Sequence, residues 1–278
     1  MTLLRWPLQM ARARSKSSSN PFRLFAGGAA TRDGYGEVSK QPLQVLWLLL
    51  PFLVLYELGS ILYLQHPSEG MRESIAAYSF VERIFRAFGV ASFHIPAILL
   101  AASLVGWHVA RRDPTVVRLP VLFTMFVESV LWTFPLLMLG LLLQSRPGLI
   151  ETARAVDITA LPWQARLTLS AGAGLYEELL FRLVGITLVQ FILSRLMAAK
   201  PDVAATIAVF VSAIAFAIYH RTTLPGGGAD LTLLTYYGLA GLYFGSLFIF
   251  RGFGIVAATH FLFDALVLVA IPAAGTRT

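Results

Sequence analysis

The chain has 278 residues, of which 57% are hydrophobic and 13% charged, with a mean hydropathy of +0.71. A soluble domain carries about 25% charged and about 45–50% apolar residues, so this composition excludes a soluble enzyme, a disordered tail protein and a disulfide scaffold, and leaves a polytopic helical membrane protein. Cysteine is absent, which removes disulfides, thiolate metal sites and cysteine nucleophiles, and the net charge of +7 is assigned to topology and anionic lipid, with no nucleic acid as partner.

Residues 1–42 read as a basic, flexible cytoplasmic tail, with Arg5, Arg12, Arg14, Lys16, Arg23, Arg32 and Lys40 against only Asp33 and Glu37. Seven apolar stretches follow, each near the ~20 residues that a bilayer core about 30 Å thick requires. They are Leu43–Leu64, Val90–Ala110, Leu119–Leu143, Leu167–Leu193, Val203–Tyr219, Leu231–Phe250 and Gly254–Ala274. Lipid offers backbone groups no hydrogen-bond partner, so all are expected to be helices. The predicted fold class is an all-α transmembrane bundle of about seven spans. Residues 71–88 interleave Ile75, Val81, Ile84, Phe85 and Phe88 with Arg72, Glu73, Glu82, Arg83 and Arg86, the pattern of an interfacial amphipathic helix. The chain divides into the tail, accessory spans over 43–164 with the amphipathic helix, and a core over 165–274. The tail, Arg111–Arg118, Arg195–Lys200 and Arg251 fall on one side, which the positive-inside rule makes cytoplasmic.

A charged side chain at a span centre costs roughly 2.5–3.5 kcal/mol on insertion scales, so ionisable residues there are functional candidates. The fourth span contains Tyr176-Glu177-Glu178-Leu179-Leu180-Phe181-Arg182. Glu178 and Arg182, at i and i+4, share a helical face and can pair, whereas Glu177 points about 100° away. An ion pair that glues helices together explains Glu178 and Arg182 but not Glu177; a carboxylate free to exchange a proton, as general acid–base chemistry needs, explains Glu177. The fifth span ends Phe216-Ala217-Ile218-Tyr219-His220, with Phe216 and His220 one turn apart. The seventh carries His260 and Asp264, again at i and i+4, a spacing that lets a carboxylate orient an imidazole.

Taken in order, E-E-x-x-x-R, F-x-x-x-H and H-x-x-x-D resemble the CPBP family of CAAX-processing and bacteriocin-processing intramembrane endopeptidases, which includes type II CAAX prenyl endopeptidases and bacterial abortive-infection proteins. The resemblance covers roughly residues 165–272. It implies a protease of the bacterial cell membrane, with a membrane-anchored peptide or lipidated protein as substrate and the lipid bilayer as its other partner. By the same resemblance Glu177 activates a water for attack on a peptide carbonyl, Glu178 and Arg182 position it, His220 assists, and His260 with Asp264 stabilises the oxyanion. The family often has Asn where this chain has Asp264; an ionised carboxylate does not donate, so Asp264 is expected to be protonated or to act through His260.

No H-E-x-x-H occurs, which leaves out the zincin arrangement. A glutamic mechanism with no cofactor is the expectation, because Glu177 can serve as the base without a metal. Zinc held by His220, His260, Glu177 and Asp264 is the alternative, since zinc accepts imidazole and carboxylate. A proton-coupled transporter and a non-catalytic scaffold on the same fold are the rival readings. Two further buried carboxylates, Glu57 and Glu128, are expected to line the same cavity or to pair with His94 or His108. Gly172 and Gly174 read as close-packing positions. One geometric mismatch stands out: at 1.5 Å per residue His220 lies roughly 25 Å from the start of its span and His260 only roughly 9 Å. Either the Arg251–Gly254 turn is sunk, or a span is short or tilted.

Overall fold

The computed structural model describes residues 34–66, 70–71, 95–144, 161–220 and 228–270. Among them run eight helices: α1 (Tyr35–Val38), α2 (Pro42–Leu64), α3 (Ile95–Arg111), α4 (Leu119–Gln144), α5 (Trp163–Leu196), α6 (Pro201–Tyr219), α7 (Leu231–Arg251) and α8 (Phe253–Ala270). A two-stranded antiparallel ribbon, β1 (Gln65–His66) with β2 (Gly70–Met71), follows α2, with Gln65 opposite Met71. Local chemistry sets several boundaries. Pro42 and Pro201 open α2 and α6, where a fixed φ suits the first turn and the missing N–H costs no bond. Asp230 caps α7, accepting from the backbone N–H of Thr232 and Leu233 at 3.0 and 3.1 Å, which satisfies two of the helix's otherwise unpaired donors.

Among the described residues six helices, α2 and α4 to α8, are long and apolar enough to cross a bilayer. The expected seventh is not confirmed: the stretch predicted as the second span is a 17-residue helix over the described residues, and positions 90–94 of that prediction lie outside them. Positions 72–88 of the predicted amphipathic helix and His94 also lie outside, as do residues 1–33 of the tail. The remaining tail residues are built into the fold. Val38 in α1 is buried, and the Tyr35 hydroxyl donates to Glu128 on α4.

Polarity is arranged as a lipid solvent demands. Leu119, Leu142, Phe250 and Ile218 are each 70–74% exposed, while Glu178 and Arg182 are completely buried. In water such an apolar surface would be an association hazard; in a bilayer it is ordinary solvent contact, and the polar groups take the interior.

Helix α8 sits at the centre, touching α2, α4, α5 and α7. Its first face is made of small residues, with Ala257, Ala258 and Thr259 buried, so neighbouring backbones come close. A Cβ on Gly174 of α5 would lie 2.7 Å from the Ala257 carbonyl oxygen and 2.7 Å from the Phe261 nitrogen. Gly174 is therefore the close-packing residue the sequence suggested, and its missing side chain lets α5 and α8 meet where the Glu pair and His260 lie. Gly174→Ala must push the helices apart, an overpacking cost of about 1–3 kcal/mol. We expect a lower melting temperature in detergent; an unchanged melting temperature would refute the close approach.

The connection between α7 and α8 explains how His220 and His260 meet. Arg251, the last residue of α7, donates from Nη2 to Glu128 Oε2 at 2.7 Å. Glu128 lies nine residues into α4, about 14 Å along it. The start of α4 is itself tied to the start of α2, since Gln44 Nε2 donates to the Val116 carbonyl at 2.7 Å and accepts from the Arg118 N–H at 3.2 Å. The α7–α8 turn is thus anchored more than a third of the way along α4 rather than at its end, as a sunken turn requires. Glu128 is bonded not to His108 but to Arg251, Tyr35 and Trp132, whose indole N–H donates at 3.1 Å; the other expected partner, His94, lies outside the described residues. It fixes a turn, at a place no local spacing could have indicated.

Candidate active site

The Glu pair lies on α5, a helix of 34 residues, about 50 Å long at α-helical rise and so longer than a bilayer core. It is not uniformly α-helical. Ala173–Glu177 and Leu179–Ile186 form wide π-helical turns on either side of Glu178, a geometry that recurs at functional sites. The two adjacent carboxylates address different helices, Glu177 facing α6 and Glu178 facing α8.

Glu178 is a hub. Its Oε1 accepts from Arg182 Nη1 at 3.0 Å and from His260 Nδ1 at 2.7 Å. Neither Glu178 nor Arg182 is exposed at all. The guanidinium also lies against two aromatic rings on adjacent sides, with its central carbon 4.2 Å from the Phe216 centroid and 5.3 Å from that of Phe244, the two centroids being 6.4 Å apart. Facing aromatic π-clouds stabilise a desolvated cation. The Phe of F-x-x-x-H therefore has a direct role, covering the arginine of E-E-x-x-x-R. The expected Glu178–Arg182 pair is present, and it holds His260 as a third member.

His260 packs flat against Phe244, with centroids 4.6 Å apart and planes 21° apart. Its other nitrogen, Nε2, is 3.5 Å from Asp264 Oδ2. A carboxylate thus faces each side of the imidazole, one tight and buried, the other looser and partly open.

His220 sits one residue beyond α6. Its Nδ1 is 2.8 Å from the Phe216 carbonyl oxygen; a carbonyl only accepts, so Nδ1 carries the proton and Nε2 presents a lone pair. Burial lowers the imidazole to about 4, which keeps it neutral near pH 7. That Nε2 lies 3.7 Å from Glu177 Oε2, and the carboxylate oxygen makes no hydrogen bond among the described residues. Two acceptors face each other across a gap too long for a direct bond.

All six residues named from the sequence, Glu177, Glu178, Arg182, His220, His260 and Asp264, are thus linked through one constellation. Glu57 is set to one side: its Oε1 is 3.4 Å from the hydroxyl of Tyr176, the residue before the pair. The sequence reading missed Tyr237 and Phe244 of α7, whose rings lie flat on His220 and His260. Nothing distinguishes them from other aromatics of an apolar span until the helices are placed. Of the four residues considered for zinc, Asp264 faces His260 Nε2 at 3.5 Å and Glu177 faces His220 Nε2 at 3.7 Å. Among the described residues no group of three or more His, Asp or Glu side chains is placed to hold a metal ion.

Comparison with known proteins gives one result. Residues 159–266 match the family model described as "Type II CAAX prenyl endopeptidase Rce1-like". The match contains the whole constellation and excludes α1 to α4. No curated protein and no solved structure matches the chain.

Proposed function

From the Rce1-like match over residues 159–266, we propose that the protein hydrolyses a peptide bond in a membrane-anchored or lipidated protein substrate by a Glu-activated water. The match supports a CAAX-type intramembrane endopeptidase in general terms, and the six apolar helices among the described residues support a multi-pass membrane protein. The mechanism and the cell membrane of a bacterium as its location are our own reading.

The observation that carries the mechanism is the pair of facing acceptors, Glu177 Oε2 and His220 Nε2, 3.7 Å apart. A water about 2.8 Å from each donates one hydrogen to each and turns its lone pairs outward. As the water oxygen bonds to the substrate carbonyl carbon, Glu177 takes its proton and His220 holds the other hydrogen. The carbonyl oxygen becomes an oxyanion stabilised by donation from His260 Nε2, whose ring is oriented by Glu178 at Nδ1. Preorganised donors of this kind are typically the largest contribution in acyl transfer. When the C–N bond breaks, the proton on Glu177 passes to the leaving amine, and the carboxylate is regenerated. Asp264 acts through His260, as the side chain on the open edge of that ring.

The test is cleavage of a membrane-tethered peptide by purified protein in liposomes, with and without a chelator. We expect hydrolysis at a defined bond and full activity after chelation. Loss of activity restored by added zinc would overturn the glutamic reading and make His220 a ligand.

A further inference from the structure

The water position just described depends on the direction of one lone pair, and therefore on the rotation of the His220 ring. The Nδ1–H bond to the Phe216 carbonyl restrains one edge of that ring but leaves it free to tip about the bond. We propose that Tyr237 of α7 is a positioning residue that fixes the His220 plane and so keeps Nε2 aimed at Glu177; this rests on the functional reading above.

The geometry is specific. The Tyr237 and His220 rings are stacked, with centroids 3.9 Å apart and planes 18° apart. Two other rings close the remaining sides: Phe216, tilted at 55° and 4.4 Å away, and Tyr219, edge-on at 83° and 5.1 Å away. Of the three, Phe216 and Tyr219 belong to the same helix as His220 and move with it. Tyr237 alone comes from a separate helix, so it ties the imidazole to the frame of the bundle. It also touches Phe216 edge-on at 6.4 Å, which joins the His220 stack to the ring that covers Arg182. Aromatic stacking adds an orientational preference beyond burial. It holds the ring in one orientation most of the time, yet its loss leaves the fold standing.

The experiment compares Tyr237→Phe, which keeps the stacked ring, with Tyr237→Leu, which does not, and Tyr237→Met as a second unstacked variant in case Leu packs poorly. In the liposome assay we expect Phe to retain at least about half of wild-type kcat, and Leu and Met to lose about ten-fold in kcat with KM nearly unchanged, the pattern of a lost transition-state interaction. Nitrogen-15 NMR of labelled histidine, with the His220 signal identified by His220→Gln, supplies a readout that does not need turnover. Wild type and Phe should show a single Nδ1–H tautomer; Leu and Met should show a tautomer mixture. Wild-type kcat and tautomer in the Leu and Met variants would overturn the proposal, as would a Phe variant as impaired as Leu, which would assign the role to the hydroxyl. A protein inactive in wild-type form whose His220 tautomer still follows the stack would sink the protease reading and leave the positioning contact intact.

Discussion

Glutamine at position 177 should abolish peptide cleavage while leaving the protein folded. The side chain keeps its shape and can still hydrogen-bond, but it cannot take a proton from water. Glu177 Oε2 makes no hydrogen bond to another described residue, so the substitution breaks none of the contacts that hold the helices, and the melting temperature should stay close to wild type. General-base catalysis typically contributes 10²–10⁴-fold, and a buried base beside a single oriented water belongs at the upper end. His220→Ala and His260→Ala should be nearly as damaging, since one orients the attacking water and the other receives the charge. Each double variant with Glu177→Gln should be little worse than the single, because residues acting on one transition state are not additive. A Glu177→Gln protein that kept more than about a tenth of wild-type activity would fall outside that range and remove Glu177 from the chemistry. A proton-relay role for the carboxylate would then be the reading to pursue.

Glu178 and Arg182 should show strong coupling in stability. Both are fully buried and bonded at 3.0 Å. Removing one partner of such a pair costs about 3–5 kcal/mol because the other charge is left in a low dielectric. Glu178→Gln and Arg182→Met should each lower the melting temperature sharply in detergent, and the double variant should be less destabilised than the sum. The two singles should nonetheless differ in activity. Glu178→Gln also weakens the 2.7 Å bond that orients His260, so its catalytic loss should exceed that of Arg182→Met when both are assayed well below their melting temperatures. Strictly additive stability losses would exclude the ion pair as a unit.

What the sequence carried was whatever lies within one helical turn. Glu178 with Arg182 and His260 with Asp264 are i, i+4 pairs, and both pairs face each other in the structure, at 3.0 and 3.5 Å. Apolar run lengths likewise revealed six of the spans. Which carboxylate serves which histidine was not legible, because it depends on α6 and α8 flanking opposite sides of α5. Arg251 as the partner of Glu128 was not legible for the same reason: it is 123 positions away. Tyr237 and Phe244 went unnoticed because an aromatic in a span carries no polarity signal; only its stacking distance marks it out. The π-helical turns around Glu178 also escape periodicity, since the apolar pattern continues through them without interruption.

The link between α7 and α8 is a single residue, Gly252, with φ +83°, a left-handed conformation that side chains disfavour and glycine accepts freely. Lys40 packs 3.4 Å from where its Cβ would be, so the link is enclosed as well as short. A joint of that kind has no slack: Arg251 is pinned to Glu128, and the helix begins again at Phe253. The azimuth of His260 is consequently counted out residue by residue from that anchor, each step adding about 100° and 1.5 Å. One residue gained or lost between Gly252 and His260 would turn the imidazole away from Glu178 as surely as deleting it. The number of residues from Gly252 to His260 is therefore part of what places the imidazole beside Glu178.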